Sequence, residues 1–70
     1  MDLNAFLGKR IRVVVDTYIA TMPTRIFTGE IISIDKGSFN FRDKFGKTIL
    51  IMNNDVMRIE EVGDGDDNNR

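Results

Sequence analysis

A glycine inside an apolar run constrains this chain more than any other feature. Residues 27–40 read FTGEIISIDKGSFN, and Gly29 falls inside a stretch, residues 26–34, that otherwise has the character of a strand. Glycine in a strand interior weakens it and marks a bend, a bulge or the close approach of another backbone. A strongly bent strand is therefore predicted, with Gly29 at the bend. Alternation at period two puts Phe27, Gly29 and Ile31 on one face, the predicted core face, and Thr28, Glu30 and Ile32 on the other. Asp35-Lys36-Gly37-Ser38 is dense in turn formers: Asp35 can accept backbone N–H bonds two residues on, and Gly37 suits a positive φ. The chain is expected to reverse there and re-enter a sheet through Phe39-Asn40. Residues 51–59, IMNNDVMRI, echo the pattern on a shorter scale.

Along the chain, residues 2–8 have the signals of a short helix: Asp2 as N-cap, Leu3, Phe6 and Leu7 at helical spacing, and Gly8 as a stop. One or two turns are not stable alone, so this segment is expected to cover an open end of the core. Residues 9–16 form a first strand with Ile11, Val13 and Val15 on one face and Arg10 and Arg12 on the other. Residues 17–24 hold the only proline and no clean period. They make a loop whose Tyr18, Ile19 and Met22 either fold over the core or meet a neighbour, and Pro23 belongs at or before the start of the next strand.

Residues 25–34 and 39–42 are strands two and three. Asp43 to Gly46 is a hairpin connection, and residues 47–52 are strand four, with Thr48 and Leu50 opposing Ile49 and Ile51. Asn53-Asn54-Asp55 is a tight turn suited to the left-handed region, followed by strand five at residues 56–62. Five short strands with alternating apolar faces predict a small all-β barrel over residues 1–62. Strands four and five are apolar on both faces, which describes edges that ought to be covered.

Composition narrows the chemistry. The chain has neither cysteine nor histidine, which excludes disulfides and the common zinc sites. It also removes the usual neutral-pH proton shuttle and the thiol nucleophile. Asp35, Asp43, Asp55, Glu60 and Glu61 sit in turns or on an exposed strand face with no spacing that suggests a shared cleft. No enzyme, metal or cofactor is expected. The sequence has ten basic and eleven acidic residues; residues 63–70 hold three of the acidic ones and one basic one, leaving a body of net charge +1. That tail, GDGDDNNR, is expected to be disordered. Its Asp64-x-Asp66-x-Asn68 run is similar to the start of a calcium loop but lacks the glycine and glutamate such a loop requires.

A core this small rarely supplies more than about 3–5 kcal/mol, and without disulfides or metal the expected supplement is a partner subunit. No apolar run is long enough to span a membrane. Residues 1–8 are too short and insufficiently basic for a signal peptide, and the absence of cysteine agrees with a reducing compartment. A soluble, cytoplasmic protein is expected.

The order of a short helix, five strands and two signature loops resembles the Sm and Lsm (Sm-like) family of ring-forming, SH3-like barrels over about residues 3 to 62. Phe27, Gly29, Ile31 and Asp35 stand at the positions of the first signature, and Phe39-Asn40 replaces its Met-Asn pair after one extra residue. The second signature, an Ile-Arg-Gly-Asn turn and a Val-x-x-Ile strand, is matched by Ile51-Met52-Asn53-Asn54 and Val56-Met57-Arg58-Ile59.

The resemblance implies a homo-oligomeric ring of roughly five to eight copies, joined strand four to strand five through Ile49, Leu50, Ile51, Val56, Met57 and Ile59. It implies single-stranded RNA, or DNA, bound at Lys36, Ser38, Phe39, Asn40, Met52, Asn53 and Asn54. The base stacks on Ser38 or Phe39, depending on register, and is hydrogen-bonded by Asn40. Met52 stands where the family has its arginine and brings no charge. The implied role is non-catalytic RNA processing or regulation; the alternative is an SH3-like protein-interaction or assembly module without nucleic acid. Outside that pattern, Phe45 between Lys44 and Lys47 at a hairpin tip either stacks a base or packs on a neighbouring subunit.

Overall fold

A computed structural model of the chain describes residues 2–63. The acidic tail, Gly63 apart, and its Asp64-x-Asp66-x-Asn68 run lie outside the described residues. Five strands make one antiparallel sheet: β1 (Ile11–Asp16), β2 (Thr24–Ile34), β3 (Ser38–Asp43), β4 (Thr48–Met52) and β5 (Val56–Glu61). Their spatial order is β4-β3-β2-β1-β5. The all-β prediction holds, each strand lying within two residues of its predicted bounds. The sheet is open, with β4 and β5 as its two ends. Among the described residues no helix is long and apolar enough to cross a membrane.

Alternation builds the core. Ile11, Val13 and Val15 of β1, Ile31 of β2, Phe39 and Phe41 of β3 and Ile51 of β4 are all buried, with Leu3 from the N-terminus. Val56 and Ile59 of β5 pack against the same cluster. Residues from all five strands can meet on one face only if the sheet curls, because neighbouring strands lie about 4.8 Å apart. Phe27 meets Phe41 edge to face at 6.5 Å between centroids. The outer faces are polar where β1 meets β5: Arg12 lies opposite Glu60, with Nη1 3.0 Å from Oε1.

At Gly29 the backbones of β2 and β3 approach closely. A Cβ there would stand 2.0 Å from the Arg42 carbonyl oxygen and 2.8 Å from the Asp43 Cα. Beside the bend expected from the sequence, the position is thus constrained by a contact between two backbones. Farther along β2 the pairing with β3 shifts by one residue between Ile31 and Ser33. This bulge at Ile32, unforeseen in the sequence, breaks the period-two alternation: Ile31 and Ile34 pack inward while Ser33 turns out to lie opposite Asn40.

The phase of the β3–β4 ladder follows from its ends. The Asp43 N–H donates to the Lys47 carbonyl at 2.8 Å, and the Asn53 N–H to the Gly37 carbonyl at 2.9 Å. Bonded and non-bonded pairs alternate in antiparallel sheets, so Phe41/Ile49 and Phe39/Ile51 are bonded pairs in this register. Thr48, Leu50 and Met52 therefore aim their N–H and C=O groups away from β3, toward the open edge. On β5 the Val62 N–H donates to the Arg10 carbonyl at 2.9 Å. By the same alternation Ile59 and Glu61 face the opposite open edge.

Three local expectations are corrected. The N-terminal segment is a 3-10 turn, Leu3–Phe6, capped by the Asp2 carboxylate accepting from the Asn4 N–H at 3.1 Å. Three residues per turn align Leu3 with Phe6 and swing the next residue away, so Leu7 is exposed rather than packed. Asn53–Asp55 is likewise one 3-10 turn. Neither asparagine takes a positive φ; Tyr18, at +62°, is the one described non-glycine residue that does. The β2–β3 turn is closed by the Asp35 backbone N–H donating to the Ser38 carbonyl at 2.8 Å, with Gly37 at φ +84° making the reversal possible. The Asp side chains that accept from the N–H two residues on are Asp2, Asp16 and Asp43.

Candidate functional site

The β2–β3 turn and the Asn53–Asp55 turn stand at the same end of the β3–β4 hairpin. The Asn53 N–H to Gly37 carbonyl bond extends the β3–β4 ladder past its last strand pair, Ser38 with Met52. Two loops distant in sequence are thereby held as one body. Alternation then sorts the predicted residues by face. Ser38 and Asn40 of β3 lie opposite Met52 and Leu50 of β4, on the face turned away from the core.

Asn40 is half-buried, and its Nδ2 donates to Ser33 Oγ at 3.0 Å. That bond uses one of the amide's four hydrogen-bonding positions and fixes its orientation. Lys36 and Asn54 are exposed at the rims of their turns, and Met52 is half-exposed beside Leu50. Asn53 Oδ1 is a buried acceptor with no hydrogen-bond partner among the described residues. An unsatisfied buried acceptor costs about 1–3 kcal/mol.

Phe39 is 0 % exposed. Its ring belongs to the core and has no face open to stack on anything, so of the two stacking positions only Ser38 reaches the surface. The alternation of β3, which buries Phe39 and Phe41 on one face, sets this phase. Ser33, which alternation alone does not single out, belongs to the site through Asn40; the pairing of β2 with β3, not β2 by itself, brings it there.

The residues predicted to join subunits divide in the same way. Ile51 is buried in the core of its own chain, and Ile49, Val56 and Ile59 pack against that core. Leu50 and Met57 are about 60 % exposed, on β4 and β5, the strands that end the sheet. Beside β4 the open sheet leaves a groove of about 270 Å³, lined by Val15, Phe27, Ile49, Ile51 and Met52 with Asp16 and Asp55.

The loop at residues 17–23 does not fold over the core: Tyr18, Ile19 and Met22 are all more than half exposed. Its shape is set by short-range bonds. The Tyr18 N–H donates to Asp16 Oδ1 at 2.8 Å, the Ile19 N–H to Thr17 Oγ1 at 3.1 Å, and the Thr17 hydroxyl to the Met22 carbonyl. The Tyr18 hydroxyl donates to Asp55 Oδ1 at 2.9 Å, tying this loop to the Asn53–Asp55 turn.

That bond and the Asp55 charge raise the Tyr18 pKa above its ordinary 10.0. A raised pKa means the tie is complete while the phenol is neutral and is lost as pH rises through the raised value. Tyr18 is the chain's one tyrosine, so phenolate absorbance reads it directly. The midpoint is expected above the ordinary value of 10.0, and Asp55→Asn is expected to bring it back toward that value; equal midpoints in the two proteins would show the bond to be absent in solution.

No protein-family model, no curated protein and no solved structure matches the chain.

Proposed function

We propose that the chain is the subunit of an Sm-like ring that binds single-stranded RNA, or DNA, without catalysis, in RNA processing or regulation. The observation that carries this reading is the backbone bond between Asn53 and Gly37, because it unites the two loops from which the family resemblance draws a base pocket. The strand order and the close approach at Gly29 support the barrel, with β2 bent so that the curled sheet becomes SH3-like. Exposed Leu50 and Met57 on unpaired edges support assembly. In this account β4 of one copy pairs with β5 of the next, Thr48, Leu50 and Met52 bonding to the outward groups of Ile59 and Glu61.

Each pocket is modest. Ser38 lies under the base, Asn40 hydrogen-bonds it, Met52 packs beside it, and Lys36 attracts phosphate. A near-neutral body gains little from charge alone, but several weak pockets on one particle raise apparent affinity by about 10²–10⁴. A second reading, an assembly barrel without nucleic acid, is favoured by one feature: Met52 and Leu50 form an apolar pair where the resemblance would put an arginine.

Native mass spectrometry with and without a short uridine-rich RNA separates the readings. One species of roughly five to eight chains that takes up RNA is the expected result. A ring that ignores RNA leaves assembly only, and a monomer removes the ring. Asn40→Ala is expected to weaken RNA binding about 2- to 12-fold for each engaged pocket, the equivalent of one hydrogen bond at about 0.5–1.5 kcal/mol. Undiminished binding would take the pocket out of the account.

A further inference from the structure

At the other end of the β3–β4 hairpin lies a groove of a different kind. It encloses about 530 Å³ between the start of β2 and the hairpin tip, and is lined by Arg25, Phe27, Thr28, Lys44, Phe45 and Lys47. The Arg25 guanidinium lies 5.0 Å from the centroid of the Phe27 ring, and the Lys44 ammonium 5.5 Å from that of Phe45. Phe45 is 84 % exposed. A phenyl ring held that far into water is unusual for a turn tip, and here the turn fixes the backbone that carries it.

The tip is rigid by construction. Asp43 Oδ1 accepts from both the Phe45 N–H at 2.9 Å and the Lys47 N–H at 2.8 Å. The Gly46 N–H donates to the Asp43 carbonyl and the Lys44 N–H to the Thr28 carbonyl, each at 2.9 Å. Asp43, the one carboxylate lining the groove among the described residues, thus has Oδ1 engaged by its own backbone, while none of Arg25, Lys44 and Lys47 is in an ion pair among the described residues. Three cations around two ring faces match a ligand that is planar and anionic at once.

We propose that this groove is a second contact for single-stranded nucleic acid, with a base stacked on Phe45 and the flanking phosphates held by Lys44, Lys47 and Arg25. The site rests on the RNA-binding reading and adds to it a surface outside the two loops. It explains how a body of net charge +1 would hold a polyanion: the cations are concentrated where a ring can orient the strand. The contact carries little sequence preference, because every base has a face to stack.

The test is fluorescence anisotropy of a labelled uridine-rich RNA over a range of salt, with the full chain and its variants. Phe45→Ala is expected to weaken binding about 5- to 150-fold, and Phe45→Tyr to retain it, since stacking needs only the ring. Lys44→Gln with Lys47→Gln is expected to flatten the plot of log affinity against log salt by about 0.7 for each phosphate no longer neutralised. All three positions are exposed, and circular dichroism checks that the variants fold. If Asn40→Ala weakens binding while Phe45→Ala and the lysine pair do not, the groove is overturned and the loop pocket stands. If the parent chain binds no RNA, both readings fall. A polyglutamate peptide competing as well as the RNA overturns the stacked base and leaves only a patch of charge.

Discussion

Gly29→Ala is expected to unfold most of the protein or lower its melting temperature by more than about 12 °C. The added methyl would stand 2.0 Å from the Arg42 carbonyl oxygen and 2.9 Å from its carbon. These atoms belong to the backbone of β3, where no rotamer change relieves the clash. The neighbouring bond from the Lys44 N–H to the Thr28 carbonyl makes Gly29 and Asp43 a non-bonded pair, the type with the shorter Cα separation of about 4.5 Å. Overpacking costs about 1–3 kcal/mol and more where backbone must move. A loss of about 3 kcal/mol rivals the whole contribution of a core this small and corresponds to at least about 12 °C at roughly 4–8 °C per kcal/mol. Thermal melts by circular dichroism, at equal protein concentration, make the comparison. An unchanged melt would mean that the two strands do not touch at Gly29.

Proline at two adjacent positions of β4 is expected to give opposite outcomes. Ile51 bonds toward β3 and its side chain is buried. Ile51→Pro deletes a ladder N–H, orphans the Phe39 carbonyl at about 1–3 kcal/mol and loses core packing worth about 2–5 kcal/mol; the chain is expected not to fold. Leu50 aims its N–H at the open edge, where proline is tolerated. Leu50→Pro is expected to leave the circular dichroism of a folded sheet and to reduce the particle to single chains. Native mass spectrometry and circular dichroism on both variants decide. A folded Leu50→Pro protein of undiminished mass would show that β4 is not the joining edge, and a reversal of the two phenotypes would show that the ladder phase is the other one.

The parts of the fold that could be read from sequence are those that depend on one element at a time. Ile11, Val13 and Val15 alternate without interruption, and β1 buries them in that order. The Asp43–Gly46 hairpin carries its own turn chemistry and forms where the residues require. What escaped depends on two elements together. The bulge at Ile32 is a mismatch between β2 and β3, so no window on β2 alone contains it. It decides that Ile34 meets Phe39 on the core side and Ser33 meets Asn40 outside, while Phe39 and Asn40 take their faces from the unbroken alternation of β3. Leu7 lies exposed and not on the face that helical spacing gives it, because 3.0 and 3.6 residues per turn differ little over a single turn and the sequence does not separate them. For the loops, their composition was legible but the Gly37–Asn53 bond was not. Arg25 joins Lys44 and Lys47 only because β2 starts beside the hairpin tip.

The open sheet has unlike ends, and in the assembly proposed above this would govern the symmetry. A dimer about a two-fold axis would need one edge to meet its own copy, whereas β4 meeting β5 is a heterologous contact that repeats head to tail. Such a series has no natural stopping point except closure. Twist settles which follows, since each strand added to a sheet turns it by roughly 20–25°, and the accumulated turn either returns to the first copy or continues as a filament. In the proposed ring every joint would be chemically identical, so a substitution at Leu50 or Met57 would act once at each of them, and a small local change would be multiplied by the number of subunits.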